Sequence, residues 1–146
     1  YGPISQSFYP YINSLELKNP KYFKKYIIKY LKIVLSIGLL YTVALTVFSD
    51  KIVLILLGEK FVLSSSLLKV YALALPLTAV SNALGRQWLM VKGKEQAYAK
   101  IQTLGSIVSL FLILISIDRF GIFSAPISII VFEMLTIFLI IIKIKK

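Results

Sequence analysis

Glu133 is the residue of this chain whose chemistry most needs an explanation. It sits near the middle of the apolar run Phe120–Ile142 and is the one charged-type residue there. A central acid costs about 2.5–3.5 kcal/mol on insertion scales, while roughly fifteen Ile, Leu, Phe and Val neighbours return about 0.3–0.6 kcal/mol each. The run therefore inserts despite Glu133, and insertion does not account for it. Two roles stay open. Glu133 is either a proton- or cation-linked coupling site facing a cavity, or a carboxyl bonded to another helix.

A second polar set lies on one helical stripe. Thr78, Ser81, Asn82 and Gly85 follow at i, i+3, i+4 and i+7, with Arg86 one turn beyond Asn82. Lys69 stands about 25 Å from Arg86 along an ideal helix. Lys69 and Arg86 either snorkel to opposite interfaces or, with Thr78, Ser81 and Asn82, line the path of a polar, anionic group.

What is missing narrows the chemistry further. There are no cysteines and no histidines, so thiol and imidazole chemistry are excluded within this segment. The six acids are scattered, and no pair has catalytic or metal-binding spacing. We expect no catalytic residue, no metal, no cofactor and no enzyme activity, which disfavours a membrane sugar or acyl transferase.

The elements that must position these groups are apolar. Hydrophobic residues make up 58% of the 146, and the mean hydropathy is +0.85. A soluble domain of that size could not hide so much Ile and Leu. Ile33–Ser49, Val70–Gly85 and Ile101–Ile117 carry no formal charge. With the Phe120–Ile142 run they fit the about 20 residues that a helix needs to cross the hydrocarbon core. The expected fold is an all-α, polytopic membrane bundle with spans at 33–49, 67–90, 101–117 and 120–142. Residues 1–17 read as the end of a preceding span, and the whole as a segment of a longer protein. Residues 18–32 read as a basic interfacial helix opened by Asn19-Pro20.

Finer features follow. Pro76 removes one backbone donor and frees the carbonyl of Ala72, predicting a kink. Pro126 predicts a second. Gly38, Thr42, Thr46 and Ser49 share a face that should meet another helix or a cavity. Gln102, Ser106, Ser109 and Ser116 lie roughly on one face of the third span. Asp50–Ser66 should lie outside, with Ile52–Leu57 as an apolar rim element too short to span. Lys92–Lys100 should be a polar loop, and Asp118-Arg119 a local charge pair in a turn.

Charge sets the topology. The net charge is +11, but its distribution argues against nucleic acid. With four spans and residues 1–32 on the cytoplasmic side, that side holds Lys18, Lys21, Lys24, Lys25, Lys29, Lys32, Arg86, Lys92, Lys94, Lys100, Lys143, Lys145 and Lys146. The other side holds Lys51, Lys60, Lys69 and Arg119. This asymmetry follows the positive-inside rule and places the C-terminus in the cytoplasm. The basic segment should attract anionic membrane lipids or an anionic substrate headgroup.

The order of these features resembles a known family. Pro3-Ile4-Ser5 before a basic loop resembles the end of the eighth helix of Wzx-type polysaccharide flippases. These belong to the multidrug/oligosaccharidyl-lipid/polysaccharide exporter superfamily. Leu56-Leu57-Gly58-Glu59-Lys60-Phe61 is similar to that family's LFG-x-x-F/Y element after helix nine, with Leu57 in place of the usual Phe. Ser81-Asn82-Ala83-Leu84-Gly85-Arg86-Gln87-Trp88, then Gly93-Lys94, is similar to its helix-ten end and cytoplasmic turn. The resemblance implies the last third of a twelve-helix transporter with two lobes around a central cavity. It implies translocation of an undecaprenyl-diphosphate-linked oligosaccharide across the bacterial inner membrane, for O-antigen or capsule assembly. Its implied partners are that lipid-linked oligosaccharide, the N-terminal lobe of the same protein and the polysaccharide polymerase machinery. A cation-coupled multidrug exporter of the same superfamily, and a non-transporting membrane scaffold, are the alternatives.

Overall fold

The computed structural model describes residues 20–145 together with Ile12 and Ser14. The Pro3-Ile4-Ser5 motif, the end of a preceding span at 1–17 and the Asn19 cap lie outside the described residues, apart from those two. Within residues 20–145 four α-helices follow one another: α1 (Pro20–Leu57), α2 (Leu63–Leu84), α3 (Glu95–Phe120) and α4 (Ser124–Lys145). Among the described residues there is no strand.

Among the described residues, three continuous helical stretches are long and apolar enough to cross a membrane: Tyr22–Leu57, Leu63–Met90 and Glu95–Lys145. The third folds back on itself through the 3₁₀ turn Gly121–Phe123. Gly105 of α3 and Thr136 of α4 thereby face each other. Large apolar side chains point outward along these stretches; Ile55 is 80% and Leu63 82% exposed. Water would not tolerate so extended an apolar surface, and lipid does.

α1 is unbroken from the basic segment through to Leu57. The expected interfacial helix and first span are thus one element, about 57 Å long at 1.5 Å per residue. The expected rim element Ile52–Leu57 is its last part. Between Pro20 and Gly58 the one breaker is Gly38, and a single glycine costs only about 1 kcal/mol in a helix. Ile52, Leu56 and Leu57 then line a cavity of about 340 Å³ against Leu67, Leu68 and Tyr71 of α2.

Two other expectations need correcting. The turn between α2 and α3 is shorter than Lys92–Lys100, because Glu95, Gln96 and Ala97 already belong to α3. Glu95 suits the positive N-terminal end of that helix. Pro126 lies in the first turn of α4, where the backbone N–H has no helical acceptor in any case. A kink is therefore not required there. The turns before α2, before α3 and before α4 each hold a glycine of positive φ: Gly58, Gly93 and Gly121.

Packing differs between the two ends. Large apolar clusters gather toward the end that holds the start of α1 and the close of α2. Phe23, Ile27 and Val91 form one with Ile12, Tyr30 and Val34 meet Ala79 and Ala83, and Leu84, Leu89, Ile101 and Ile140 form a third. Farther along, the helices meet through small and hydroxyl residues: Thr42, Ser49, Ser65, Ala72, Ser124 and Ser128 are buried. Burial of large apolar groups gains most where water is displaced. Inside lipid, close backbone approach and hydrogen bonds replace it. Gly105 shows such an approach, because a Cβ there would come within 2.8 Å of the Phe132 ring.

Candidate functional site

Helical periodicity puts Ser81 on the face of α2 that meets α4, and Glu133 on the face of α4 that meets α2. The Ser81 hydroxyl donates to Glu133 Oε2. Ser81 is 2% and Glu133 5% exposed. The bond crosses two helices inside an apolar bundle, where each group would otherwise lack water. Of the two roles open to Glu133, the helix-to-helix bond is the one seen in this conformation.

The seam extends along α4. Ser128 is buried and donates to Ala125 O at 2.8 Å. Thr136 is fully buried, and among the described residues its Oγ1 has no hydrogen-bond partner. Ser124, Ser128 and Thr136 were not among the expected site residues. Their signal was present: with Glu133 they are the four polar residues of an otherwise apolar run, and all four are buried.

The other candidates separate. Thr78 and Asn82 are half-buried and bond to their own helix, Thr78 Oγ1 to Ala74 O at 3.0 Å and Asn82 Nδ2 to Thr78 O at 2.9 Å. Arg86 is exposed and stands beyond the seam. It lies in the π-helical turn Gly85–Met90 that continues α2, a geometry frequent at functional positions. Lys69 is at the far end of α2 and pairs with Asp50 of α1, Nζ 3.0 Å from Oδ2 and 3.2 Å from Oδ1. This is the one ion pair among the described residues, so Asp118 and Arg119 do not form the expected local pair. The structure therefore joins Ser81 to Glu133, keeps Thr78 and Asn82 on the adjoining surface of α2, and leaves Arg86 and Lys69 apart from the seam.

The expected stripe on α1 meets α2 as a helix contact. Gly38, Thr42 and Ser49 are buried and Thr46 is exposed. The Thr42 hydroxyl donates to Ala72 O at 2.7 Å, the carbonyl that Pro76 releases. On α3, Ser106 is exposed and bonds back to Gln102 O at 2.9 Å.

Charge is strongly polarised. Lys24, Lys25, Lys29, Lys32, Arg86, Lys92, Lys94, Lys100, Lys143 and Lys145 belong to one half of the bundle, where Glu95 is the one described acid. At the other end Lys51, Lys60, Lys69 and Arg119 are nearly balanced by Asp50, Glu59 and Asp118. Some of the cations hold the basic end together. Lys92 Nζ lies 5.7 Å from the Phe23 ring centre and 5.9 Å from that of Trp88, and the two rings meet edge to face. Lys94 Nζ donates to Lys143 O at 3.3 Å, capping the C-terminal end of α4. Among the described residues no group of acids, His or Cys could hold a metal ion.

No protein-family model, no curated protein and no solved structure matches this chain.

Proposed function

We propose that this chain is part of a flippase that carries an undecaprenyl-diphosphate-linked oligosaccharide across the bacterial inner membrane, as its Wzx-type resemblance implies. In this reading α1, α2, α3 and α4 each cross the bilayer once. The basic end and the C-terminus face the cytoplasm, and the chain is the last third of a twelve-helix transporter. The observation that carries the proposal is the pairing of a charge-polarised bundle with a polar seam, Ser81–Glu133, inside its apolar body.

The chemistry is coherent. A diphosphate-sugar headgroup is anionic and polar, and its lipid tail can stay in the bilayer. The cationic end raises its local concentration. The exposed Arg86 guanidinium can accept a diphosphate in a bidentate geometry. From there Asn82, Thr78 and Ser81 offer hydrogen bonds along α2. Passage requires α2 and α4 to part, and parting breaks the Ser81–Glu133 bond. That gives Glu133 its coupling role, since taking up or losing a proton or cation changes the strength of that bond. Lys69 enters the path only after release from Asp50.

A second reading, a non-transporting membrane scaffold, is favoured by one observation: Ser81 and Glu133 satisfy each other with no open cavity between them. One experiment separates the readings. The full-length protein is expressed in bacteria that lack their own O-unit flippase and make the matching repeat unit. Surface polysaccharide should return. Arg86→Ala should lower it about tenfold at equal membrane abundance, the factor for about 1.4 kcal/mol. Glu133→Gln should retain the fold and flatten the dependence of transport on pH. Internal accumulation of the lipid-linked unit, with the protein in the membrane, would instead favour a scaffold or a drug exporter.

A further inference from the structure

A row of polar side chains follows the contact of α3 with α4, from Glu133 toward the basic end. Thr136 lies one turn beyond Glu133, about 4.5 Å along the axis, and both are buried. Its hydroxyl is turned to α3 at Gly105, where a Cβ would lie 3.2 Å from Oγ1. Gln102 stands one turn before Gly105 on α3, and its Nε2 donates to the Tyr98 hydroxyl at 2.9 Å. Tyr98 is half-buried near the start of α3, at the basic end. Two buried atoms in the middle of the row, Thr136 Oγ1 and Gln102 Oε1, have no hydrogen-bond partner among the described residues. Ile101 and Ile140, close to them along the two helices, belong to an apolar cluster and offer none. An unpaired buried polar group costs about 1–3 kcal/mol, and a buried water bonded to it removes that cost.

We infer that water bound to Thr136 Oγ1 and Gln102 Oε1 completes a proton path between Glu133 and the aqueous phase at the basic end, with Tyr98 as its last side chain. The inference rests on the coupling role of Glu133 proposed above and names the route by which its proton arrives. On protonation, an O–H bond of the neighbouring water breaks as the carboxyl O–H bond forms. Each water, and the Tyr98 hydroxyl, passes one proton forward and receives one from behind. Hydronium at the basic end supplies the last. Two features select water as the occupant. The unspent atoms are a hydroxyl and an amide oxygen, neutral groups that suit a neutral ligand. A metal cation would have to pass the lysine-rich end, which repels it. Charged side chains of the helices packed around Glu133 lie toward their ends: Lys69 and Arg86 along α2, Glu95, Lys100, Asp118 and Arg119 on α3, Lys143 and Lys145 on α4.

The test uses the full-length protein in lipid nanodiscs, with protons released by a light flash. Infrared spectroscopy follows the carboxyl C=O band of Glu133, assigned by its absence in Glu133→Gln. The band should rise after the flash in the wild type. Thr136→Val and Gln102→Leu should each slow that rise about tenfold, the factor for about 1.4 kcal/mol, the size of one lost hydrogen bond. The final amplitude should stay the same, because the path changes the rate and not the equilibrium. Thr136→Ser should keep the wild-type rate. So should Ser106→Ala, which removes an exposed hydroxyl of α3 outside the row. Thr136→Val conserves shape and tests the path even if Gln102→Leu folds poorly. A wild-type rate in Thr136→Val would overturn the path and leave the coupling role of Glu133 standing. Equal slowing in Ser106→Ala would also overturn it. A Glu133 band that responds to no pH step would remove the coupling role and the path together.

Discussion

Thr42 illustrates how a single side chain can make a helix defect harmless. Pro76 lies inside α2 and leaves the Ala72 carbonyl without its usual donor. In lipid no water can fill that role. The Thr42 hydroxyl of α1 does so, at 2.7 Å. Thr42→Val keeps the shape and removes the donor, and should lower stability by about 1–3 kcal/mol, the cost of a buried unsatisfied polar group. Thr42→Ser should lose much less. In a Pro76→Ala background the helix supplies its own donor, so Thr42→Val should then cost little. Unfolding of the full-length protein in mixed micelles measures all three, and additive effects of Thr42→Val and Pro76→Ala would exclude the coupling. Half of this arrangement was legible in advance, since Pro76 names the carbonyl it frees. The donor was not, because Thr42 sits on a face whose partner the sequence does not specify.

At the scale of elements, the end of α2 meets α3 in a close approach at Gly85. A Cβ on Gly85 would lie 2.1 Å from the Tyr98 ring, closer than any side chain can be. Tyr98 is held there, its hydroxyl accepting from Gln102 Nε2 at 2.9 Å. Gly85 also begins the π-helical turn that carries Arg86. Gly85→Ala should therefore push the ring aside, cost about 1–3 kcal/mol in thermal stability, and shift the turn. Tyr98→Leu combined with Gly85→Ala should recover part of the loss. A neutral Gly85→Ala would mean that α3 moves freely against α2. Sequence periodicity located α2 and α3 well and their ends less well. α1 ran on through Asp50 to Leu57, because a charge at a helix surface faces outward and ends nothing. α3 began at Glu95 because its first residues form helix as readily as loop. Pro126 told the opposite story from Pro76, although both interrupt apolar runs, since only position within the helix decides whether a lost donor matters.

For the whole molecule, the question is how many times the chain crosses. The third stretch, Glu95–Lys145, is 51 residues long and folds back at Gly121. If α3 and α4 each cross, both of its ends lie on one side. The chain has no cysteine, so single cysteines at Lys94, Ile122 and Lys145, and a fourth at Lys60, can be introduced without background from this segment. A membrane-impermeant thiol reagent should label positions 94 and 145 from the same side, and 60 and 122 from the other. In a bacterium the first pair should be cytoplasmic. Labelling of 94 and 145 from opposite sides would make Glu95–Lys145 a single crossing and remove the four-span proposal.

Properties that are sums over residues could be read without knowing the fold. Apolar length specified helices able to cross a membrane, because the backbone must satisfy its own hydrogen bonds in lipid. Lysine placement specified a basic and a balanced end, because charge is additive along the chain. Pairings were another matter. A period of 3.6 assigns residues to a face and leaves open which face that one meets. Only the tertiary structure joined Thr42 to Ala72, Lys69 to Asp50 and Ser81 to Glu133, and set Arg86 outside the seam. Those contacts depend on how four helices share a small volume. Packing decided them through the few positions, such as Gly85 and Gly105, where two helices come close enough for side chains to meet.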